Sequence, residues 1–156
     1  MDLLYEDQNI KFLCIKNDDK YILCMIAKKH IDDVEMVNIS QIFTTILKTY
    51  KSENKKWSIL YDIRKSNIPT KRNIDFWIRV FRNLHPIMEH NQNGTSILVK
   101  STEISAVLNK VILLWEPIGE VKFFTEYESS LEFLKKKNMV LKLPVNTKIK
   151  LKGSRF

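Results

Sequence analysis

Apolar residues fall in two rhythms along this chain. Short, nearly continuous apolar runs occur at residues 10–16 (Ile-Lys-Phe-Leu-Cys-Ile-Lys), 21–27, 57–63, 95–100 and 121–124. Between them lie longer stretches with apolar positions every three or four residues. The short runs predict strands and the longer stretches predict helices. Asn17-Asp18-Asp19 joins the first two strands as a turn, because short Asn and Asp side chains satisfy turn backbone locally. Trp57-Ser58-Ile59-Leu60-Tyr61-Asp62-Ile63-Arg64 is the central run, apolar on both alternating faces, as expected of a strand inside a parallel sheet.

The helical stripes have their own punctuation. Asp32-Asp33 offers an N-cap to a helix whose stripe reads Val34, Val37, Ile42, Phe43, Ile46, Leu47 and Tyr50. Thr70 caps a second helix with Trp77, Val80, Phe81, Leu84, Ile87 and Met88, which Pro86 should kink or end. Phe81 is central in that stripe, and its truncation to alanine is expected to cost roughly 3–5 kcal/mol. Asn91-Gln92-Asn93-Gly94 reads as a break before the strand at 95–100. Ser101 or Thr102 caps a third helix carrying Ile104, Val107, Leu108, Val111, Ile112 and Trp115, ended by Pro117 and Gly119. Ser129 or Ser130 precedes a short last helix with Leu131, Phe133 and Leu134. The expected fold is α/β. A mixed sheet of about five strands, with an antiparallel opening hairpin and a parallel centre, is flanked by about four helices.

This order of elements resembles the STAS domain of anti-sigma factor antagonists and sulfate-transporter tails, and most closely the STAS-like proteins of bacteria and algae. The likeness spans about residues 8–135. It is carried by the strand end 59–64 (Ile-Leu-Tyr-Asp-Ile-Arg), the helix end 108–117 (Leu-Asn-Lys-Val-Ile-Leu-Leu-Trp-Glu-Pro) and residues 121–134. The resemblance implies a SpoIIAA-like fold and a non-enzymatic interaction module. Phospho-regulated members carry Asp-Ser-x-Gly where this chain has Thr70-Lys71-Arg72-Asn73, so the acceptor serine and its glycine are absent. Ser66 and Thr70 are the remaining hydroxyls nearby, and both suit turn or cap roles.

Composition narrows the chemistry. With three glycines in the chain, phosphate loops and dinucleotide fingerprints have no place to form. The paired acids Asp18-Asp19 and Asp32-Asp33 sit at a turn and a cap. Cys14 and Cys24 lie in strand-like runs and read as two buried free thiols in a reducing compartment. His30, His85 and His90 are scattered without metal-ligand spacing, and neither metal nor cofactor is expected. No run is long enough to cross a membrane, and the acidic start lacks a secretory pattern, so an intracellular protein is expected.

Charge is unevenly placed. Of 26 basic and 18 acidic residues, eight basic and no acidic ones fall after Leu134, leaving 18 of each sign before it. The chain thus divides into a neutral α/β domain, 1–134, and a basic tail, 135–156, expected to be extended. Leu141, Leu143, Val145, Ile149 and Leu151 recur in the tail at even spacing, with Lys148, Lys150 and Lys152 between them. A second candidate is the loop Arg64, Lys65, Ser66 with Lys71 and Arg72. It lies beside a helix amino terminus and could hold an anion, or be a solvated basic loop.

Three functions fit these observations. The first is an interaction domain that docks into a larger assembly, with a protein partner held through residues 139–152. The second is a nucleic-acid-associated protein whose tail neutralises phosphates. The third is a sensor of a small anionic ligand or lipid at the open end of the sheet.

Overall fold

The computed structural model describes residues 1–115 and 117–142. Six strands form one sheet in the order β1 (Asp2–Glu6), β2 (Ile10–Asn17), β3 (Lys20–Ala27), β4 (Trp57–Asp62), β5 (Gln92–Leu98) and β6 (Glu120–Phe124). The β1–β2 and β2–β3 pairs are antiparallel, and every later pair is parallel. Four helices connect or follow them: α1 (Asp33–Ser52), α2 (Lys71–Met88), α3 (Thr102–Trp115) and α4 (Tyr127–Lys142).

The layering follows from the strand order. Each crossover from β3 onward steps to the next strand in the same direction. Right-handed crossovers that all step one way place their helices on one face. The core of that face joins Phe43 and Leu47 of α1, Leu84 and Met88 of α2 and Ile104 of α3 to Phe12, Leu23, Trp57, Ile59 and Tyr61 of the sheet. The opposite face is left to α4, whose Leu131 and Leu134 pack on Leu13, Ile22, Cys24, Leu60 and Leu98. Every residue of β4 is buried, Ser58 and Asp62 included, which is why apolar residues occur on both faces of that strand.

Several expectations need correcting. The sheet has a sixth strand, β1, which has no alternating apolar pattern because Leu3 and Leu4 are both exposed. Backbone pairing to β2 forms it, and Asp7 turns the corner by accepting from the amides of Asn9 and Ile10. β5 begins at Gln92, not Thr95. The polar start is held by a buried chain in which Trp57 Nε1 donates to Gln92 Oε1, and Gln92 Nε2 donates to Thr95 Oγ1. In α1 the buried stripe is Met36, Ile39, Phe43, Leu47 and Tyr50, while Val34 is 81% exposed and Val37 46%. Val107 of α3 is also exposed. Pro86 does not end α2 at once, for the helix runs two residues further to Met88. α4 is longer than expected at both ends. Ser129 and Ser130 lie inside it, and Ser130 Oγ meets Ser96 Oγ of β5 at 2.6 Å in the interface between helix and sheet.

The expected tail is therefore helical at its beginning. Residues 135–142, including Leu141 and Lys142, belong to α4 rather than to an extended segment. Leu143, Val145, Lys148, Ile149, Lys150, Leu151 and Lys152 lie outside the described residues.

The predicted β2–β3 turn and the caps of α1 and α2 are formed. Asp18 adopts φ 59° in the β2–β3 turn. Asp32 caps α1 in a capping box with Glu35, and Thr70 caps α2 in one with Asn73. Cys14 and Cys24 are buried free thiols, but the hairpin register pairs Cys14 with Leu23 and Leu13 with Cys24. The two side chains consequently point to opposite faces of the sheet. Burial pushes the Cys24 thiol from 9.0 up to about 12, with smaller contributions from Cys14 and Asp62. A raised folded-state value means that the contribution to stability is complete below the unfolded value. It is lost as pH rises from about 9 towards 12, by up to about 1.4 kcal/mol per pH unit. Cys24→Ser should reduce this alkaline slope in denaturation curves taken across that window, the remainder coming from Cys14, Tyr50 and Tyr61, which burial also pushes up. An unchanged slope would show that other groups set it.

Candidate functional site

The carboxyl ends of β3 and β4 open beside each other, because Ile26 pairs with Asp62 in parallel register. Between them, under α1 and α2, lies a cavity of about 170 Å³. Its floor is the sheet face at Ile10, Met25, Tyr61 and Ile97. Met36 and Ile39 of α1, Trp77, Ile78 and Phe81 of α2, and Leu108 and Ile112 of α3 form the walls. Its polar lining comes mainly from the loops after β3 and β4, through His30, Ser66 and Asn67, and from Asn73 in the first turn of α2.

Aromatic packing sets the shape of the cavity. Phe12 stacks on Phe43, Phe43 meets Tyr61 edge-on, and Tyr61 meets Phe81 edge-on at 5.8 Å between centroids. Trp77 continues the series against Phe81 at 5.7 Å. Rings that pack edge-on are stiff and leave gaps that only flexible chains fill. Burial pushes the Tyr61 phenol well above its ordinary value, so it stays protonated. His30 Nδ1 is buried and makes no hydrogen bond. A fully closed void of 170 Å³ would cost on the order of 4 kcal/mol relative to a packed core.

The basic loop singled out in the sequence does not assemble into one anion site. Arg64 turns to the α4 side, where its Nη2 and Nε hold both carboxylate oxygens of Asp62 at 2.7 and 3.0 Å. This pairing raises the guanidinium further above its ordinary value. Arg72 reaches Asp33 of α1 at 3.3 Å, and Asn73 Nδ2 donates to the same carboxylate. Lys65 and Lys71 are exposed, and Ser66 is half-buried in the cavity lining. The amino terminus of α2 is spent on its own cap, since Asn73 N donates to Thr70 Oγ1 and Thr70 N to Asn73 Oδ1. Thr70→Ala should therefore cost about 1 kcal/mol of stability, as measured by urea denaturation. No loss would mean that the cap is idle.

A second cavity of about 250 Å³ lies at the carboxyl ends of β5 and β6, edged by Thr102, Ser105, Thr125, Glu126 and Ser129. Among the described residues no group of three or more His, Cys, Asp and Glu side chains could hold a metal ion. No helix among them is long and apolar enough to cross a membrane.

The apolar stripes of α2 and α3 in the sequence mark Trp77, Phe81, Leu108 and Ile112 as core, but the α1 wall at Met36 and Ile39 lies off the stripe expected for that helix. The space between the walls is set by how α1 and α2 sit on the sheet. His30 was passed over as an isolated histidine. Its position three residues past the end of β3, on the side where β4 also ends, was the available clue.

No family model matches the chain, and no curated protein matches it in sequence. Among solved structures it is similar to an uncharacterized protein of the DUF3478 family with a SpoIIAA-like fold, from Shewanella loihica PV-4. The identity is 16% and the TM-score 0.58, over 85% of this chain and 99% of that one. The chain has a SpoIIAA-like fold, with its antiparallel opening and parallel remainder.

Proposed function

We propose that this chain is a non-enzymatic binding module that holds a small, largely apolar ligand between its sheet and α1–α2. The observation that carries this is the 170 Å³ cavity with apolar walls at the end of the sheet where two loops meet. Ligands of open α/β folds enter at the carboxyl ends of the strands.

The test is to fill the cavity from within. Ala27 is 6% exposed and lines the cavity at the end of β3. Ala27→Phe should raise the thermal midpoint by occupying the space, and should abolish the tryptophan fluorescence response to 1-octanol expected of the wild type. A wild-type protein that gives no response to any small apolar compound would end this reading.

Docking through residues 139–152 remains a second reading, favoured by the eight basic residues and no acidic ones after Leu134. Because α4 is described to Lys142, a chain ended there keeps all of the described helix. Capture of a protein by the full chain but not by the shortened one supports assembly docking. Capture of RNA or DNA that weakens steeply with salt supports phosphate neutralisation instead. The same partner should be captured by Ser66→Ala, since no phosphorylation switch is proposed at that hydroxyl.

A further inference from the structure

Resting on the ligand-binding reading above, we propose that the occupant is a single-chain carboxylic acid. Its alkyl chain fills the apolar cavity, and its carboxylate sits at the mouth against His30. The expected chain has about eight carbons, since a cavity of ~150 Å³ takes a benzene molecule and this one is slightly larger and open at its mouth.

The mouth is chemically one-sided. His30 and Ser66 come from loops that leave adjacent parallel strands, so the polar groups gather at one end. The interior beyond them is Ile, Met, Leu and aromatic. A ligand that matches has one polar end and one apolar end. His30 Nδ1 is the second, independent observation. It is a buried polar atom with no hydrogen bond, and such atoms are rare because leaving them unmet is unfavourable. A small turn of the imidazole ring would bring this occluded atom to a carboxylate at the mouth, which would accept from Nδ1–H and relieve that deficit.

Charge selects the acid over an amine or an alcohol. The carboxylates nearest this end are already compensated: Asp62 by Arg64, Asp33 by Arg72 and Asn73, and Glu35 by Lys29 and the amide of Asp32. Lys65 adjoins Ser66, and Lys71 follows Pro69 by two residues. Among the described residues, neither lysine stands in an ion pair. Asp32 spends its carboxylate on the amide of Glu35, and Asp75 lies on the exposed side of α2, so the charges left over on the loop and helix start beside Ser66 and Pro69 are those of Lys65 and Lys71. An alkyl ammonium would be repelled there, and an alcohol would gain nothing from the two lysines.

The experiment titrates the full chain with octanoate, 1-octanol and octylamine at neutral pH, reading Trp77 fluorescence and heat of binding. Octanoate should bind about tenfold or more tightly than 1-octanol, as one charge-assisted hydrogen bond predicts. Octylamine should bind worst. His30→Ala should remove the octanoate advantage while leaving 1-octanol affinity within about twofold, the margin expected when an apolar contact surface is kept. Lys65→Gln with Lys71→Gln should weaken octanoate alone and reduce its salt dependence. Circular dichroism and thermal midpoints of the variants report whether each is folded. Equal affinity for acid and alcohol would overturn the carboxylate assignment and leave the apolar-ligand module standing. Failure of all three compounds to bind folded wild type would overturn both.

Discussion

Phe43→Ala is expected to lower the free energy of unfolding by roughly 3–5 kcal/mol, the usual range for a buried aromatic ring. Phe43 has no exposed surface and is packed between Phe12 and Tyr61. Its loss leaves a hole in the core of the helix-covered face. Phe81→Ala should cost distinctly less, about 1–3 kcal/mol. Phe81 is only half-buried and already borders open space, so fewer contacts are lost with it. This corrects the full range expected for Phe81 from its place in the helical stripe. Urea denaturation of both variants decides the matter, and a Phe81 loss equal to that of Phe43 would mean that the cavity is closed by packing in solution.

Gly119→Ala is expected to destabilise by at least ~2 kcal/mol. Gly119 adopts φ +76°, a conformation that side chains other than glycine rarely take. A Cβ there would lie 2.2 Å from the carbonyl oxygen of Asn93, which is backbone and cannot rotate aside. The chain at this point is turning into β6 against the first residues of β5, so either strand must shift to relieve the overlap. Gly94→Ala provides the control. Its Cβ would meet Lys137 Cγ at 3.4 Å, in a flexible side chain, and the carbonyl oxygen of Glu120 at an ordinary 3.5 Å, so the cost should stay below about 1 kcal/mol. Similar denaturation midpoints for the two variants would refute the steric account.

Much of the architecture was legible because it is written locally. β4 declares itself by apolar residues on both of its faces, and the caps of α1 and α2 by Asp32 and Thr70 three residues before Glu35 and Asn73. The phase of α1 was not legible, because Val34 and Val37 fit a helical stripe as well as Met36 and Ile39 do. Only the seating of the helix on the sheet decides between them. β1 escaped for the opposite reason: its stability is backbone pairing, and its side chains carry no pattern. The site was least legible of all. The basic loop looked like one cluster along the chain, yet Asp62 draws Arg64 to one face of the sheet while Asp33 draws Arg72 towards α1. A cavity is a property of element spacing, which no run of residues encodes.

The strictly sequential strand order has a consequence for how the chain is made. As it emerges from the ribosome, each new strand finds its hydrogen-bonding partner already in place at the growing edge. No strand must wait to be inserted between two others. Vectorial folding of this kind involves short loops and avoids late, long-range searches. It also leaves one debt until the end. The surface of Leu13, Ile22, Cys24, Leu60 and Leu98 stays uncovered until α4, the last helix described, has been synthesised. Nascent chains halted before Tyr127 should accordingly bind a hydrophobic dye or a chaperone, and release it once Leu131 and Leu134 have cleared the exit tunnel. Halted chains that bind neither would show that this face is protected by some other route.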